Sequence, residues 1–466
     1  MTCELNRRRF LSLTAGSLAA TVFSSAGGVA APARKRPNFL IIYSDDQGYG
    51  DLSCYGAKDI PTPHLDALAK QGVRFSHWYS NAPICAASRA ALLTGRYPMR
   101  AGVPNNTPSG LNSPGLPPEE ITLAEALKGL GYRTGLIGKW HLGSRSDSRP
   151  NAQGFDHYFG FLSGCVDYYS HIFYWNQNNG RVPYHDLWRN GEEQWENGSY
   201  TTHLFAREAK QFLRAGDGDD PFFLAVTFNA PHYPMHAPKE YFERFAHLDP
   251  QRQMQAAMVS ALDDSIGEIL DELDRLGSLE NTLIYFQSDN GPSIEKRNLL
   301  NDSGDTYKGS SAGPLRGYKG SLFEGGIRVP AIMSWKGVIP EGIIRDEIGV
   351  TMDIFPTLLK LAGGELPQDR VIDGTDIFPM ITQQAASPHR EIYWSIGKQR
   401  AVRSGDWKLI TSPSQGLDGK AEGDLLLFNL KDDPYEERNL AQEQSDRVEE
   451  LHKQIQRWEE DVKRRS

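Results

Sequence analysis

Four short, almost continuously apolar runs constrain the fold of this chain more than any other feature. They lie at 38–44, 134–138, 222–228 and 282–287. An uninterrupted apolar run is typical of a strand that is covered on both faces, as in a parallel sheet. Longer stretches with helical periodicity separate them, at 63–71, 123–129, 202–214 and 254–276. The sequence therefore predicts an α/β fold with a large, central, mixed and mostly parallel sheet flanked by helices.

The chain changes character after a Gly- and Pro-rich stretch at 363–374. Four short strand-like pieces follow, at 391–395, 400–403, 407–411 and 425–429. Short strands at close spacing are typical of hairpins, and a helical pattern over 445–463 comes last. We therefore predict a main α/β domain over 37–375 and a smaller C-terminal subdomain over 385–466, made of an antiparallel sheet and a helix.

The N-terminal segment has the pattern of an export signal. Three arginines at 7–9 precede an apolar run rich in Ala, Ser and Gly at 13–22, which is the order of regions in a signal peptide. Consecutive arginines are typical of the type that the twin-arginine translocase reads. The apolar run is shorter than the roughly 18 residues that a membrane-spanning helix needs. We predict a twin-arginine signal over 1–31 and an exported protein, periplasmic or secreted.

Charge and cysteine content narrow the classes of function. The formal net charge is −9, and no basic stripe offers a surface for a phosphate backbone, so we do not expect a nucleic-acid partner. Outside the predicted signal the chain has three cysteines, Cys54, Cys85 and Cys165. Three are too few for the disulfide framework of a small secreted domain. The odd number raises the question of which thiol has a special role.

Polar side chains follow each of the four predicted strands. They are Asp45 and Asp46 after the first, Lys139 and His141 after the second, His232 after the third, and Asp289 and Asn290 after the fourth. The carboxyl ends of parallel strands meet at one edge of a sheet, and ligands bind at that edge in open α/β folds. The sequence therefore predicts one site that is built from all four strand ends.

Four of these side chains carry hard oxygen donors, namely Asp45, Asp46, Asp289 and Asn290. Carboxylates that converge repel one another unless a positive charge lies between them. Oxygen ligands favour calcium or magnesium, whereas zinc usually recruits His or Cys. We therefore predict a metal site formed by these four residues.

Cys85 opens a helical pattern that ends near Gly95, a good residue for closing a helix. The free amides and the dipole at a helix start favour an anion or a polarised nucleophile. Arg89 lies four residues further on and so on the same helix face. A buried, inert thiol is the alternative that an isolated cysteine suggests.

The segment 85–96, CAASRAALLTGR, resembles the sulfatase signature Cys-x-Pro-Ser-Arg with its downstream Leu-Thr-Gly-Arg; Ala87 stands where Pro is commoner. Further segments resemble the family in the expected order, namely SDDQG at 44–48, GKWHLG at 138–143, SDNG at 288–291, KG at 319–320, EGGIRVP at 324–330 and LFNL at 427–430. The chain thus resembles the formylglycine-dependent sulfatases of the alkaline phosphatase superfamily, over roughly residues 37 to 440.

The resemblance implies a sulfuric ester hydrolase in which a maturation enzyme converts Cys85 to formylglycine (3-oxoalanine). The hydrated aldehyde would attack sulfur, and its second hydroxyl would later expel the sulfate. Calcium, with magnesium as the alternative, would be held by Asp45, Asp46, Asp289 and Asn290. The resemblance also assigns Arg89 and Lys139 to charge stabilisation, His141 to the base, and His232 and Lys319 to the leaving side, with Lys139, His232 and Lys319 contacting the sulfate.

Ten aromatic residues between 156 and 188 bear on the substrate. They suit the apolar face of a sugar ring, or they pack beneath a long loop. Residues 160–171 look most like arylsulfatase and N-acetylgalactosamine-sulfatase relatives, so we expect a sulfated saccharide, with aryl sulfates as artificial substrates. The alternatives are a phosphodiesterase or phosphonate monoester hydrolase of the same superfamily, and a saccharide-binding protein without activity.

Overall fold

The four apolar runs form four neighbouring strands in the computed structural model, which describes residues 35–174, 182–216, 220–295, 306–414 and 423–464. The strands of these residues are β1 (Asn38–Ser44), β2 (Val73–Phe75), β3 (Trp78–Tyr79), β4 (Arg133–Lys139), β5 (His157–Phe161), β6 (Ile172–Phe173), β7 (Tyr184–His185), β8 (Trp188–Arg189), β9 (Glu192–Glu193), β10 (Phe222–Thr227), β11 (Thr282–Ser288), β12 (Ala331–Ser334), β13 (Ile343–Arg345), β14 (Gly349–Val350), β15 (Glu391–Ile396), β16 (Gln399–Ser404), β17 (Trp407–Thr411) and β18 (Leu425–Asn429). The helices are α1 (Pro63–Lys70), α2 (Cys85–Thr94), α3 (Leu123–Gly129), α4 (Thr201–Arg214), α5 (Lys239–Arg244), α6 (Pro250–Arg275), α7 (Glu324–Ile327), α8 (Ile354–Leu361), α9 (Phe378–Gln383) and α10 (Ser445–Arg464).

The central sheet has ten strands in the order β13-β2-β12-β11-β1-β10-β4-β5-β8-β9. Strands β11, β1, β10, β4 and β5 run parallel to one another, while β12 pairs with β11 in the antiparallel direction. The sheet is therefore mixed and mostly parallel, which confirms the predicted fold class.

Alternate side chains of β1 pack on opposite faces of the sheet, as the pleat requires. Leu40 and Ile42 belong to an apolar cluster with residues of α1, α4 and α6. Phe39 and Ile41 belong to a second cluster with residues of α2, α3, α8 and α9. Because helices cover both faces, the strand is apolar at almost every position, and this is why its sequence reads as an uninterrupted run.

Helix α6 begins four residues before its predicted start at Met254. The Asp249 side chain accepts hydrogen bonds from the amides of Gln251 and Arg252, and Pro250 occupies the first helical position. Both features stabilise a helix start. The first turn is polar, so hydrophobic periodicity alone did not indicate it.

The predicted C-terminal elements are present as an antiparallel sheet in the order β15-β16-β17-β18 and helix α10. Leu451 and Ile455 of α10 pack against Val402, Leu409 and Leu427 on one face of this sheet. The other face contributes to an apolar cluster shared with the segment before α7 and with α2. The described residues from Arg36 onward form one compact unit.

The predicted signal peptide over 1–31 lies outside the described residues. Within the described ranges, no helix combines the length and the apolar character that crossing a membrane would require. No disulfide joins Cys54 to Cys165.

Candidate active site

The carboxyl ends of β11, β1, β10 and β4 lie side by side, and the structure brings the residues that follow them together. The backbone amide of Asp46 donates to Asp289 Oδ1 at 3.1 Å. Asn290 Nδ2 donates to Asp46 Oδ1 at 2.7 Å. All three side chains are buried, so two strand ends that are far apart in sequence form one polar cluster beneath the surface.

Cys85 is the first residue of α2 and is fully buried. Ile84 has an extended backbone, and Gly95 ends the helix in the left-handed conformation with φ 68°. The Cys85 sulfur lies 3.4 Å from Asp45 Oδ1 and 3.1 Å from Lys319 Nζ. The start of α2 therefore places the Cys85 thiol in contact with the acidic cluster.

Each of the three carboxylates has its own basic partner. The pairs are Lys139 with Asp45 (Nζ to Oδ2, 2.6 Å), Lys319 with Asp46 (Nζ to Oδ1, 2.7 Å) and Arg89 with Asp289 (Nη2 to Oδ2, 2.9 Å). All six side chains are buried, where removing one partner of an ion pair is costly. The site thus holds three negative and three positive groups in contact.

These neighbours set the protonation of the acidic groups. Burial would raise the pKa of Asp45, but nearby positive charge, Lys139 foremost, holds that pKa below its usual range. Burial and the charge of Asp45 raise the pKa of Asp289. Burial, then the charges of Asp289 and Asp45, raise the pKa of the Cys85 thiol well above its usual value. In the absence of a bound cation, this shift favours the protonated thiol of Cys85 over the thiolate.

The two histidines of the site are held neutral. Burial and the charge of Lys139 lower the pKa of His141 well below its usual value, and burial also lowers the pKa of His232. His232 Nε2 lies 3.5 Å from Asp46 Oδ2. His141 has a left-handed backbone with φ 56°, and a Cβ at Gly164 would lie 2.8 Å from its ring. Glycine at 164 thus leaves room for the His141 imidazole.

The donor set fits a hard divalent cation. Asp45, Asp46 and Asp289 bring carboxylate oxygens, and Asn290 Oδ1 is buried without a hydrogen-bond partner. An orphaned amide oxygen beside three carboxylates is what an oxygen-coordinated ion would satisfy. Ligand atoms of Asp45, Asp46, Cys85 and His232 lie within 4.8 Å of one another, and hydrogen bonds bring Asp289 and Asn290 against Asp46.

Several residues that support the site had no place in the sequence prediction. Thr227 Oγ1 donates to the Lys139 carbonyl at 2.7 Å, and the Tyr43 ring lies under the Arg89 guanidinium at 5.5 Å. Asn106 Oδ1 accepts the Ala86 amide of the α2 start at 3.1 Å. Tyr43 lies on β1, two positions before Asp45, so its closeness to the site could have been predicted from the sequence. Asn106 comes from a loop whose path the sequence does not indicate.

The aromatic segment mainly contributes to the core. Five of its ten aromatic residues are buried, namely Tyr158, Phe159, Phe161, Tyr168 and Phe173. Tyr168 also donates from its hydroxyl to the carbonyl of His232 at 2.8 Å. The segment could contact a sugar ring or pack beneath a long loop, and these five buried side chains follow the second interpretation. Trp175 lies outside the described residues.

The chain is similar to known proteins in both sequence and structure. Residues 37–364 match the family model described as Sulfatase, and residues 318–462 match the model described as N-sulphoglucosamine sulphohydrolase, C-terminal. The chain is 35% identical over 413 residues to the N-acetylgalactosamine-6-sulfatase of Rattus norvegicus, covering 85% of this chain and 75% of that protein.

Two further similarities cover most of the chain. Arylsulfatase J of Mus musculus is 32% identical over 452 residues, which is 87% of this chain and 73% of that protein. The crystal structure of Ps i-CgsB in complex with k-i-k-neocarrahexaose superposes with a TM-score of 0.81 at 33% identity, covering 91% of this chain and 93% of the other. The likeness therefore extends through both the main sheet and the C-terminal sheet.

Proposed function

Because this chain belongs to the sulfatase family, we propose that it removes sulfate from a saccharide, with a formylglycine made from Cys85 as nucleophile and a calcium ion bound beside it. The observation that carries this proposal is the position of Cys85. Its sulfur lies at a helix start, against Asp45 and Lys319, in surroundings that raise the pKa of the unmodified thiol. An unmodified thiol of this kind is a poor nucleophile, so conversion of the residue gives the site its reactivity.

The four oxygen-bearing residues would hold the calcium ion, since they are buried, close together and include an unsatisfied amide oxygen. When bound, the ion would withdraw charge from a sulfate oxygen. Without it, the carboxylates and basic side chains are balanced in charge. A bound divalent cation leaves the site positive overall, and this favours an anionic substrate such as a sulfate ester.

Arg89 and Lys139 would stabilise negative charge on the reacting oxygens. Arg89 is fixed by Asp289 and by the Lys139 carbonyl, to which its Nη1 donates at 3.1 Å. The pKa of Lys139 is raised, because the charge of Asp45 outweighs the effect of burial. Both groups keep their charge in position before the substrate binds, which is the condition for electrostatic stabilisation of a transition state.

Proton transfer would involve the two neutral histidines and Lys319. A neutral His141 imidazole can accept a proton, so we assign it as the base. Lys319 and His232 lie at Asp46, with Lys319 Nζ 2.8 Å from Asp46 Oδ2. Because the His232 imidazole is neutral, the charged Lys319 would supply the proton to the departing alcohol, and this matters most when that alcohol is weakly acidic.

The substrate class is supported by two relatives. One is named an N-acetylgalactosamine-6-sulfatase, and the other was crystallised with a neocarrahexaose. Both names refer to carbohydrates, so we propose a sulfated saccharide as the substrate and aryl sulfates as artificial ones. The twin-arginine pattern of residues 1–31 supports export to the periplasm or beyond, after maturation in the cytoplasm.

The test compares 4-nitrophenyl sulfate with a 4-nitrophenyl phosphate diester, using protein made together with a formylglycine-generating enzyme. We expect higher kcat/KM on the sulfate, a loss of about 18 Da in the Cys85 peptide, the mass change for thiol to aldehyde, and no turnover by Cys85→Ala. Higher efficiency on the diester would favour a phosphodiesterase instead. Saccharide binding without sulfate release, with Cys85 remaining a thiol, would favour the binding-protein alternative.

A further inference from the structure

The hairpin of β15 and β16 reaches the loops that carry two of the proposed site residues. Ile396, at the end of β15, packs against a small apolar cluster of Ala82, Ile84 and Ala87. These residues flank Cys85 at the start of α2. The C-terminal sheet therefore contacts the segment that presents the nucleophile.

Gln399, the first residue of β16, contacts the second loop. Its Nε2 donates to the carbonyl of Gly320 at 3.0 Å, and its Oε1 accepts from the backbone amide of Ser414 at 3.1 Å. Because the Ser414 amide can only donate, this bond fixes which end of the Gln399 amide faces Gly320. The side chain is thus oriented as a donor toward the loop.

Gly320 is held from two sides. Its own amide donates to the Pro83 carbonyl at 2.8 Å, two residues before Cys85, while its carbonyl accepts from Gln399. The Gly320 backbone has φ 84°, a conformation that glycine adopts without the steric cost other residues bear. Its conformation is therefore special, and hydrogen bonds secure both of its backbone polar groups.

Lys319 precedes Gly320 in the chain, so the position of the Lys319 backbone depends on the conformation of Gly320. The Lys319 amide donates to the Pro292 carbonyl at 2.9 Å, and its Nζ lies 3.1 Å from Cys85 Sγ and 2.8 Å from Asp46 Oδ2. Displacement of the Gly320 peptide would move the Lys319 backbone and hence its ammonium group. A shift of this kind at a reacting group lowers the rate even when the fold persists.

We infer that Gln399 is a positioning residue of the active site, which holds Lys319 in place through the Gly320 carbonyl. The C-terminal sheet is then part of the catalytic apparatus and not only a structural support. This inference rests on the proposed function, because it assumes that Lys319 acts on the leaving group or on the sulfate. It assigns no chemistry to Gln399 itself.

The effect of losing Gln399 should depend on the leaving group. A displaced Lys319 stabilises the departing oxygen less well, and this deficit grows as the alcohol becomes less acidic. General destabilisation of the fold would lower turnover by the same factor for every ester. The dependence of rate on leaving-group acidity therefore separates positioning from structure.

The experiment measures kcat and KM for phenyl sulfates whose phenols differ in acidity. Gln399→Leu removes the bond to Gly320, and Gln399→Glu keeps an acceptor for Ser414 but, when ionised, has no donor for Gly320. Gln454→Leu is the matched control, because it makes the same Gln-to-Leu change at a buried glutamine of α10. Rates are expressed per formylglycine, measured by mass spectrometry, so that differences in maturation do not enter.

We expect both Gln399 variants to fold and to lose about three- to tenfold in kcat on the nitrophenyl ester, with a larger loss on the least acidic phenol. Gln454→Leu should keep the wild-type dependence on the leaving group. Unchanged rates in Gln399→Glu or Gln399→Leu, or an equal loss for all esters, would overturn the inference. Absence of sulfatase activity in the wild-type protein would instead refute the proposed function.

Discussion

The ammonium group of Lys319 lies 3.1 Å from the sulfur of Cys85, although 234 positions separate the two residues in sequence. This contact joins the start of α2 to the loop before α7, and both loops meet at the carboxyl edge of the central sheet. Burial would lower the pKa of Lys319, but the charge of Asp46 outweighs it and raises that pKa well above its usual value. Lys319 therefore remains charged although it is buried.

Replacing Lys319 by alanine should lower kcat by about 10²- to 10³-fold, the cost of removing one charge-stabilising group from an active site. The loss should be larger for esters of weakly acidic alcohols. Steady-state kinetics on two phenyl sulfates measures both effects, and near-ultraviolet circular dichroism checks the fold. A loss confined to KM would mean that Lys319 binds the sulfate without assisting departure of the alcohol.

Removal of the cation should abolish activity and lower the melting temperature. A ligand that binds the folded state alone stabilises it by RT ln(1 + [L]/Kd), so Tm should rise with added calcium after chelation. Asn290→Ala removes one donor and should shift this calcium titration to higher concentration. Thermal denaturation across a calcium series measures the shift without relying on catalysis. If Asn290→Ala showed the same dependence of Tm on calcium as the wild-type protein, Asn290 would be excluded as a ligand.

The sequence predicted which residues of the candidate site lie close together, because these residues follow regular elements. The uninterrupted apolar strands predicted adjacent parallel strand ends, and those ends do bring Asp45, Lys139, His232 and Asp289 together. Local pattern also indicated the boundaries of α2, since Gly95 is a recognisable helix stop.

What sequence reasoning missed depends on contacts between distant segments. Nothing local to Gln399 or Asn106 indicates that either contacts a loop of the site, because both contacts are set by tertiary packing. The short strands β2, β12 and β13, toward one edge of the sheet, have three or four residues each and pair with distant partners. Runs of this length carry too little periodicity to be identified.

A buried pair of His389 and Asp353 should make stability depend on pH. His389 Nε2 lies 2.7 Å from Asp353 Oδ2, and both side chains are largely buried. Burial would lower the pKa of His389, but the charge of Asp353 outweighs it and raises that pKa above the usual value. The pair therefore stabilises the fold fully below the unfolded-state pKa of about 6.5, and the contribution is lost as pH rises through the higher folded-state pKa.

The variant His389→Ala should be destabilised by about 3 kcal/mol at pH 6, near the lower end for breaking a buried pair, because Asp353 keeps hydrogen bonds from the amides of Val350 and Thr375. Urea denaturation at several pH values measures the difference from wild type. The difference should shrink as pH rises above neutrality. A constant difference would show that His389 contributes through packing alone.

Lys408 is shared by two buried carboxyl groups, with Nζ 2.8 Å from Glu324 Oε1 and from Glu436 Oε1. Burial would raise the pKa of both acids, but Lys408 holds the pKa of Glu324 below its usual range, whereas the pKa of Glu436 is raised. One lysine thus balances one carboxylate. Glu324→Gln should destabilise the protein more than Glu436→Gln at pH 6, as thermal denaturation will show; the reverse order would contradict this assignment.

Because Cys85 is completely buried, we expect the proposed conversion of this residue to formylglycine to precede folding. The thiol has no exposed surface and contacts Asp45 and Lys319, so a maturation enzyme cannot reach it unless α2 is displaced from the sheet. Folded, purified thiol protein incubated with a formylglycine-generating enzyme should therefore remain unconverted by mass spectrometry. A peptide of residues 81–97 should be converted under the same conditions and serves as the control. Conversion of the folded protein at the rate of the peptide would mean that the α2 start opens readily, and export before maturation would then be feasible.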